Sequence, residues 1–539
     1  MTQVASAPPA AGGPAAGSAA PGREPGAGRG RRVQADLGVH AGLAAVVAVA
    51  ALLRFWHLTR QSLWYDEAVT QFLLTGSPSQ LLAALPHAES TPPLYYLVAW
   101  GWTRVLGDTA LGLRTLSAVA GTAVVAVAFA AGRTLAGARV GLVAATLVAV
   151  NPLLVWYSQE ARSYSLLTLA TATSLWLYAR ARAEPTRGRL AAWAVVGAAA
   201  LMTHYFAVFV VGAEAALLLL DRRAPRGRRL GATGAVGAVG VALALLARRQ
   251  SERHYWFADI PLVRRILDVP AQFMTGFAPA SRPLAVVVAA AVAACALLLL
   301  ATRGQSGERR TAALAGGIGV SATALPAVAA ALGPDYLNTR NVIGGLVPLA
   351  VAVAAGLGAS RAGWLGVTAT AVAVVASVAL VAAMAGDPSG QKPQWQVVAA
   401  ALARPATPRA ILLRGSTTWA RPLAFYLPRT WWVPPHGAPV RELDVLRRLP
   451  SHHACPSRSW WGPACAIPAR APLAAVPAGF ALASTRRVAG FEVARYLAPR
   501  PRRLYAHWPY ERFGPRDRLP AFYRHRRLLL TPTTPPRLP

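Results

Sequence analysis

Apolar blocks with almost no charge recur along this chain, residues 190–220 and 342–358 among them, and the loops between them are short and rich in arginine. Runs of this kind suit hydrocarbon, where about 20 apolar residues cross the bilayer core and each backbone polar group must be paired inside the segment. The pattern restricts the chain to a bundle of membrane helices. Composition agrees: 14% of residues are charged and 55% hydrophobic, whereas ordinary soluble domains carry about 25% charged residues. Of 539 residues, 55 are Lys or Arg and 21 are Asp or Glu, a net charge of +34. The basic residues cluster between the apolar runs, where cytoplasmic loops and anionic lipid favour them, so they mark topology. Nucleic acid is not expected as a partner.

Sidedness follows from the basic loops at 132–139, 181–189, 221–229, 302–310 and 359–362, taken as cytoplasmic. Residues 1–36, rich in Ala, Pro and Gly and ending in arginines, are expected as a disordered cytoplasmic tail. Spans are then expected at about 37–56, 113–131 and 140–156, and from 164 to the loop at 181. A hairpin of two short helices fills 190–220 with Thr203-His204-Tyr205 at its tip, and further spans lie near 230–247, 283–301, 311–332, 342–358 and 363–384. The run 92–106 opens with Pro92-Pro93 and carries Tyr95, Tyr96, Trp100 and Trp102; parity and its interface-seeking aromatics make it a helix lying on the outer surface.

The expected fold class is thus an all-α polytopic membrane protein of about eleven transmembrane helices with a small extracytoplasmic α/β C-terminal domain. Residues 37–385 form the membrane domain, with outer loops at 57–112, 157–163, 248–282 and 333–341. Residues 386–497 form the C-terminal domain and 498–539 a disordered tail. A multi-pass plasma-membrane location follows, with the chemistry on the outer side. Arginines in 248–282 run against the positive-inside trend, which fits either a shift in parity or a role for those arginines on a lipid phosphate. Three cysteines occur. Cys295 lies in an apolar run, while Cys455 and Cys465 flank a polar loop, as a disulfide if that loop is oxidised or as two thiols if it is not.

Four outer segments carry the candidate chemistry. Asp66 and Glu67 follow the first span; a carboxylate there could take a proton from an acceptor hydroxyl, the alternative being a solvated loop pair. Glu89-Ser90-Thr91-Pro92-Pro93-Leu94-Tyr95-Tyr96 by itself signals an interface helix. Glu160, Arg162 and Tyr164 abut two spans, either as a substrate contact or as an ion pair anchoring a turn. Arg340, between two spans, could clamp a phosphate with its planar fork, or simply snorkel to the interface. His204 is a ligand or a packed ring, and Glu214 a single acid within an apolar helix. No phosphate-binding loop, paired-cysteine motif or metal-ligand spacing appears.

In this order the segments resemble the GT-C membrane glycosyltransferases, in particular the protein O-mannosyltransferase and aminoarabinose-transferase superfamily. The likeness rests on Asp66-Glu67, Pro92-Pro93-Leu94-Tyr95-Tyr96, the run Trp156 to Tyr164, and Thr203-His204-Tyr205. It implies an inverting transferase that takes a mannose- or arabinose-type sugar from a polyprenyl-phosphate donor and passes it to a protein, glycan or lipid hydroxyl outside the membrane. Asp66 would be the general base and Glu67 would orient it or the substrate. Arg162, Arg340 and either Arg253 or His254 would meet the carrier phosphate. Thr91 stands where members often have His before Pro-Pro, which weakens any metal or substrate role at that place. No cofactor is expected, a divalent metal being left open. A transporter or flippase, and a catalytically silent scaffold for the C-terminal domain, are the competing functions.

Overall fold

The computed structural model describes residues 25–250, 260–277, 282–386, 393–402, 408–414, 420–427, 430–434, 436–449, 478–504 and 528–531. It opens with α1 (Pro25–Phe55), then three short helices, α2 (Tyr65–Leu74), α3 (Pro78–Ala88) and α4 (Leu94–Leu106). The bundle continues with α5 (Ala110–Ala136), α6 (Ala138–Val150), α7 (Pro152–Ser158), α8 (Tyr164–Ala183), α9 (Arg187–Thr203), α10 (Ala207–Leu220) and α11 (Arg226–Gln250). After α12 (Leu262–Thr275) come α13 (Arg282–Arg303), α14 (Ser306–Ala331), α15 (Leu346–Leu357) and α16 (Gly363–Gly386).

Every expected membrane segment is helical, yet fewer than eleven meet the length and apolarity of an independent span. Among the described residues six do: Asp36–Phe55 of α1, α5, α11, Pro283–Arg303 of α13, α14 and α16. The pair α6 and α7, bent by 60°, makes a seventh. The other four, α8, α9, α10 and α15, are either short or, in α8, too polar for lipid. Their place in the bundle explains it. In α8 the hydroxyls of Thr168 and Thr171 are buried and donate to the carbonyls of Tyr164 and Leu167, both at 2.9 Å. A helix enclosed by others need not be apolar all round.

Small residues let the backbones close up. A Cβ at Gly132 of α5 would stand 2.9 Å from the Cα of Gly141 in α6, so neither helix admits a side chain there. The α6–α7 bend falls at Asn151-Pro152. Pro152 supplies no N–H to the helix before it, and the Asn151 side chain caps the new helix by accepting from the Leu154 N–H at 3.0 Å. The carbonyls left open at the end of α6 are met by a buried arginine: Arg54 donates to Ala149 O (2.8 Å) and Val148 O (3.1 Å). A cation at a helix C-terminus also suits the helix dipole.

Several boundaries differ from expectation. The segment 57–112 is a layer of short helices, because α2, α3 and α4 bury Leu73, Leu81, Leu85, Tyr95 and Tyr96 in a core of their own. At 13 residues α4 is too short to cross. Helix α1 begins at Pro25, inside the expected tail. The expected loop 248–282 holds α12, whose face carrying Val263, Ile266 and Leu267 is exposed.

The C-terminal region is a small mixed α/β unit. It has α17 (Trp395–Leu402), β1 (Arg409–Arg414), α18 (Ala420–Tyr426), β2 (Trp431–Trp432), β3 (Ala438–Arg448), β4 (Ala481–Val488), β5 (Phe491–Leu504) and β6 (Leu528–Thr531). The strands form one sheet in the order β2-β6-β1-β3-β5-β4, with β1 and β3 parallel and the other pairs antiparallel. Alternation along β1 sends Ile411 and Leu413 toward Trp395, Leu423 and Phe491, and Ala410 and Leu412 toward the opposite face. The domain extends past the boundary expected at 497: β5 continues to Leu504, and β6 pairs with β1, supplying the backbone partner that β1 would otherwise lack on that edge.

Candidate active site

Trp64 is the N-cap of α2, whose first turn holds both Asp66 and Glu67. Successive helical residues point about 100° apart, so neighbours in sequence face different surroundings. Glu67 turns inward and is fully buried. Its Oε1 accepts from Arg114 Nε (2.7 Å) and the Ala161 N–H (2.9 Å); its Oε2 accepts from Arg114 Nη2 (2.7 Å) and the Trp64 N–H (3.2 Å). Arg114, in the first turn and a half of α5, also donates to the carbonyls of Leu58 (2.9 Å), Gln61 (2.7 Å) and Ser62 (3.1 Å). One ion pair thus fastens α2, α5, the 58–62 segment and the α7–α8 turn together. Glu67 is held by this pair, and its partner Arg114 is absent from the expected set. Its signal was an arginine set inside an apolar run.

A second buried pair closes the next layer. Arg162 donates from Nη1 and Nη2 to the two carboxylate oxygens of Glu89, at 2.7 and 3.0 Å. Nη1 also reaches Thr70 Oγ1 (3.1 Å), the Tyr96 hydroxyl (3.2 Å) and the Asp66 carbonyl (3.3 Å). Burial works against the charge of Arg162, but Glu89, then Tyr96 and Asp66, hold its pKa well above the usual value. Arg162, expected at the donor phosphate, holds Glu89 in its fork. Glu89, at the end of α3 just before Pro92-Pro93, takes a part the sequence left unassigned. Tyr95 and Tyr96, in the first turn of α4, are both buried, with their rings edge to face.

Asp66 faces the other way. Its Oδ2 accepts from Arg340 Nη1 at 3.1 Å, with the two side chains 19% and 15% exposed. Arg340 also lies 5.9 Å from the Trp64 ring centroid and 5.8 Å from that of Tyr164. Although burial lowers its pKa, Tyr164, Asp66 and Tyr157 raise it above the usual value, so the guanidinium stays charged. The loop bearing Arg340 is pinned in turn: Arg265 of α12 donates from Nη1 to Asp335 Oδ1 (2.6 Å) and to the Leu337 carbonyl (2.9 Å). Hydrogen bonding from Arg265 depresses the Asp335 carboxyl.

Glu160 is fully buried in the turn that carries Arg162. His204 sits behind Tyr164, ring centroids 6.1 Å apart, and its Nδ1 accepts from the Phe206 N–H at 3.2 Å. Burial, with Arg162 and Arg340 nearby, pulls the imidazole down to about 3, so the ring is neutral at ordinary pH. Arg253, His254, Cys455 and Cys465 lie outside the described residues. Among the described residues, no group of three or more His, Cys, Asp or Glu side chains is placed to hold a metal ion. Glu214, inside the bundle, accepts from Trp193 Nε1 at 2.9 Å and from the Ser174 hydroxyl.

The C-terminal domain touches this framework directly. The Leu63 N–H donates to the Tyr426 hydroxyl (2.8 Å), the Gln396 N–H to Ser62 Oγ (3.0 Å), and the Arg421 guanidinium lies 4.3 Å from the Phe72 ring centroid.

Residues 90–248 match the family model for dolichyl-phosphate-mannose-protein mannosyltransferase. The match takes in Pro92-Pro93, Glu160, Arg162 and His204, and over this stretch the resemblance to membrane glycosyltransferases holds; Asp66, Glu67 and Arg340 lie outside it. No curated protein matches the chain. Among solved structures, the chain is similar to ArnT from Cupriavidus metallidurans in the apo state, at 14% identity, over 85% of this chain and 98% of that one, with a TM-score of 0.41. It is also similar to the archaeal oligosaccharyltransferase AglB from Archaeoglobus fulgidus, solved with an inhibitory peptide and a dolichol-phosphate, at 12% identity, over 67% of this chain and 57% of that one, with a TM-score of 0.39. The S. cerevisiae protein O-mannosyltransferase Pmt1-Pmt2 complex bound to the sugar donor aligns at 16% identity over 39% of this chain and 33% of that one, with a TM-score of 0.31. The chain thus spans little more than half the length of the archaeal enzyme and a third of the yeast chain.

Proposed function

We propose that this chain is an inverting membrane glycosyltransferase that moves a mannose- or arabinose-type sugar from a polyprenyl-phosphate carrier to an acceptor hydroxyl at the extracytoplasmic face. The observation that carries it is the Asp66–Arg340 pair, a carboxylate and a guanidinium side by side and both reachable from solvent, while Glu67 and Glu89 are closed off by their arginines. The mannosyltransferase family match over 90–248 supplies the reaction class.

Asp66 accepts the proton of the acceptor hydroxyl as its oxygen attacks the anomeric carbon. The bond from that carbon to the phosphate oxygen breaks, and its electron pair leaves with the phosphate. Attack opposite the leaving group inverts the centre. Arg340, positive throughout, meets the charge that grows on the leaving phosphate, the kind of fixed electrostatic contribution that lowers such barriers most. Proton removal contributes about 10²–10⁴-fold. The sugar–phosphate bond of the carrier holds the driving energy, so no nucleotide is required. Glu67–Arg114 and Glu89–Arg162 hold the Asp66 backbone still while this happens.

The test is incubation of purified, reconstituted protein with radiolabelled polyprenyl-phosphate mannose and polyprenyl-phosphate arabinose and a panel of peptide, glycan and lipid acceptors. Label passing to an acceptor with release of polyprenyl phosphate is expected. Flux of the labelled lipid across sealed vesicles with no covalent product would overturn the proposal in favour of a flippase.

A further inference from the structure

A cavity of about 380 Å³ lies between the C-terminal end of α1, helix α7 and the last two turns of α16. Leu52, Leu53, Val155, Val378 and Val381 make its apolar wall, and His57, Arg60 and Gln159 stand at its polar end. The two ends have different chemistry for a structural reason. Helix α1 stops at Phe55, and Gln159 Nε2 caps it by donating to the carbonyls of Leu53 (3.0 Å) and Trp56 (3.1 Å). His57 then takes φ +52°, a left-handed backbone that turns the chain so that Arg60 comes to the rim. Arg60 is exposed, and among the described residues no carboxylate lines the cavity.

We infer that this cavity is a binding site for one acyl chain of an anionic phospholipid from the surrounding leaflet, with the lipid phosphate at Arg60 and His57. The apolar wall opens on surfaces of α1 and α16 that protein does not cover: Leu52, Phe55, Val375 and Val378 are all exposed. A chain of methylenes fits such a wall, and the exposed Arg60 with His57 beside it favours a negative headgroup. The site is separate from the proposed reaction centre. Asp66, Arg162, Tyr164 and Arg340 are not among its lining residues, so a phosphate held at Arg60 is not the one presented to Asp66. Arg114 joins the two: it lines the cavity and donates to the carbonyls of Leu58, Gln61 and Ser62 as well as to Glu67. Lipid in the cavity therefore braces the segment that leads into α2.

The experiment needs no turnover. Protein reconstituted in phosphatidylcholine vesicles receives a trace of phosphatidylglycerol or of phosphatidylcholine with a photoreactive group in the acyl chain, and labelled peptides are mapped by mass spectrometry. The expected result is labelling of 378–385 several-fold stronger from phosphatidylglycerol than from phosphatidylcholine. Val381→Trp, which fills the cavity, abolishes that labelling, and Arg60→Gln brings the two lipids level. Folding of each variant is checked by its unfolding temperature. Tens of millimolar inorganic phosphate leaves the labelling in place, since the chain and not the phosphate alone provides most of the burial. Equal labelling of lipid-facing α13, or labelling that survives Val381→Trp, would overturn the inference. So would displacement of phosphatidylglycerol by an equimolar trace of polyprenyl phosphate, which would make the cavity a donor site instead.

Discussion

Glu67 and Asp66 are adjacent in the chain, yet one belongs to a closed region of the molecule and the other to an open one. In the closed region, Glu67–Arg114 and Glu89–Arg162 are two-point ion pairs, all four side chains nearly excluded from solvent, with further bonds from backbone and hydroxyl groups. In the open region, Asp66 and Arg340 share a single contact, and each keeps part of its surface free. The difference follows from the angular step of a helix and from what each face meets. It separates two tasks that a carboxylate can do at a membrane surface. A fully satisfied acid fastens helices together but has no lone pair left for a substrate. A partly satisfied acid is poor mortar and can act on a proton.

The comparison breaks most visibly if the closed region is opened. Arg114→Met leaves Glu67 charged and buried without its partner, which costs about 3–5 kcal/mol; thermal unfolding in detergent should show the loss, together with loss of any transfer activity. Arg340→Gln removes a donor from the open region. Transfer should fall about 10²–10³-fold while the unfolding temperature barely moves, so kinetics and unfolding measured on one preparation keep the two regions apart.

His204 sharpens the picture through pH. Its folded pKa, about 3, lies below the unfolded value, so the unfolded chain takes up the proton first as pH drops. Stability is full above about pH 6.5 and declines as pH falls toward 3. Between pH 7.5 and 5.5 the decline from this group is about 1.4 kcal/mol, and His204→Leu should remove it from the pH profile of unfolding. The smallest effect expected is that of Tyr426→Phe. It deletes the acceptor for the Leu63 N–H, a change of about 0.5–1.5 kcal/mol. Its signature is a lower maximal rate at unchanged donor affinity, because the C-terminal domain acts on the site by steadying the chain that enters α2.

Much of the bundle was legible because lipid imposes a simple rule on it. All eleven segments expected from apolar runs and arginine loops are helical, and the 190–220 hairpin turns at His204 as the charges required. Legibility ended where protein replaced lipid as the neighbour. The hydroxyl-bearing α8 and the short α9, α10 and α15 lie against other helices, so length and apolarity no longer report on them. Helix α4 was legible from its Pro92-Pro93 start and aromatics, whereas α2 and α3 stood in an expected outer loop, because the core they share with α4 comes from separate pieces of chain. Strand β6 stood in an Arg- and Pro-rich stretch, and its pairing with β1 and β2 gives it a structure.

The candidate site shows the same division. Asp66, Glu67, Arg162, His204 and Arg340 were picked out as polar groups at the ends of spans, and the structure gathers them around α2, the α7–α8 turn and the Arg340 loop. What sequence could not give is which arginine serves which acid. Arg162 was expected at a phosphate, and its fork holds Glu89, 73 positions away in the chain. Arg114 was hidden in a span, and its partner Glu67 is 47 positions distant. Pairings at that range depend on how the helices pack.

Asp66→Asn keeps the shape of the side chain and its place beside Arg340 but cannot take a proton. Transfer of label from a polyprenyl-phosphate sugar, measured alongside the unfolding temperature of the same sample, should drop about 10²–10⁴-fold with the unfolding temperature unchanged. Wild-type transfer by that variant would contradict the assignment of Asp66 as the base.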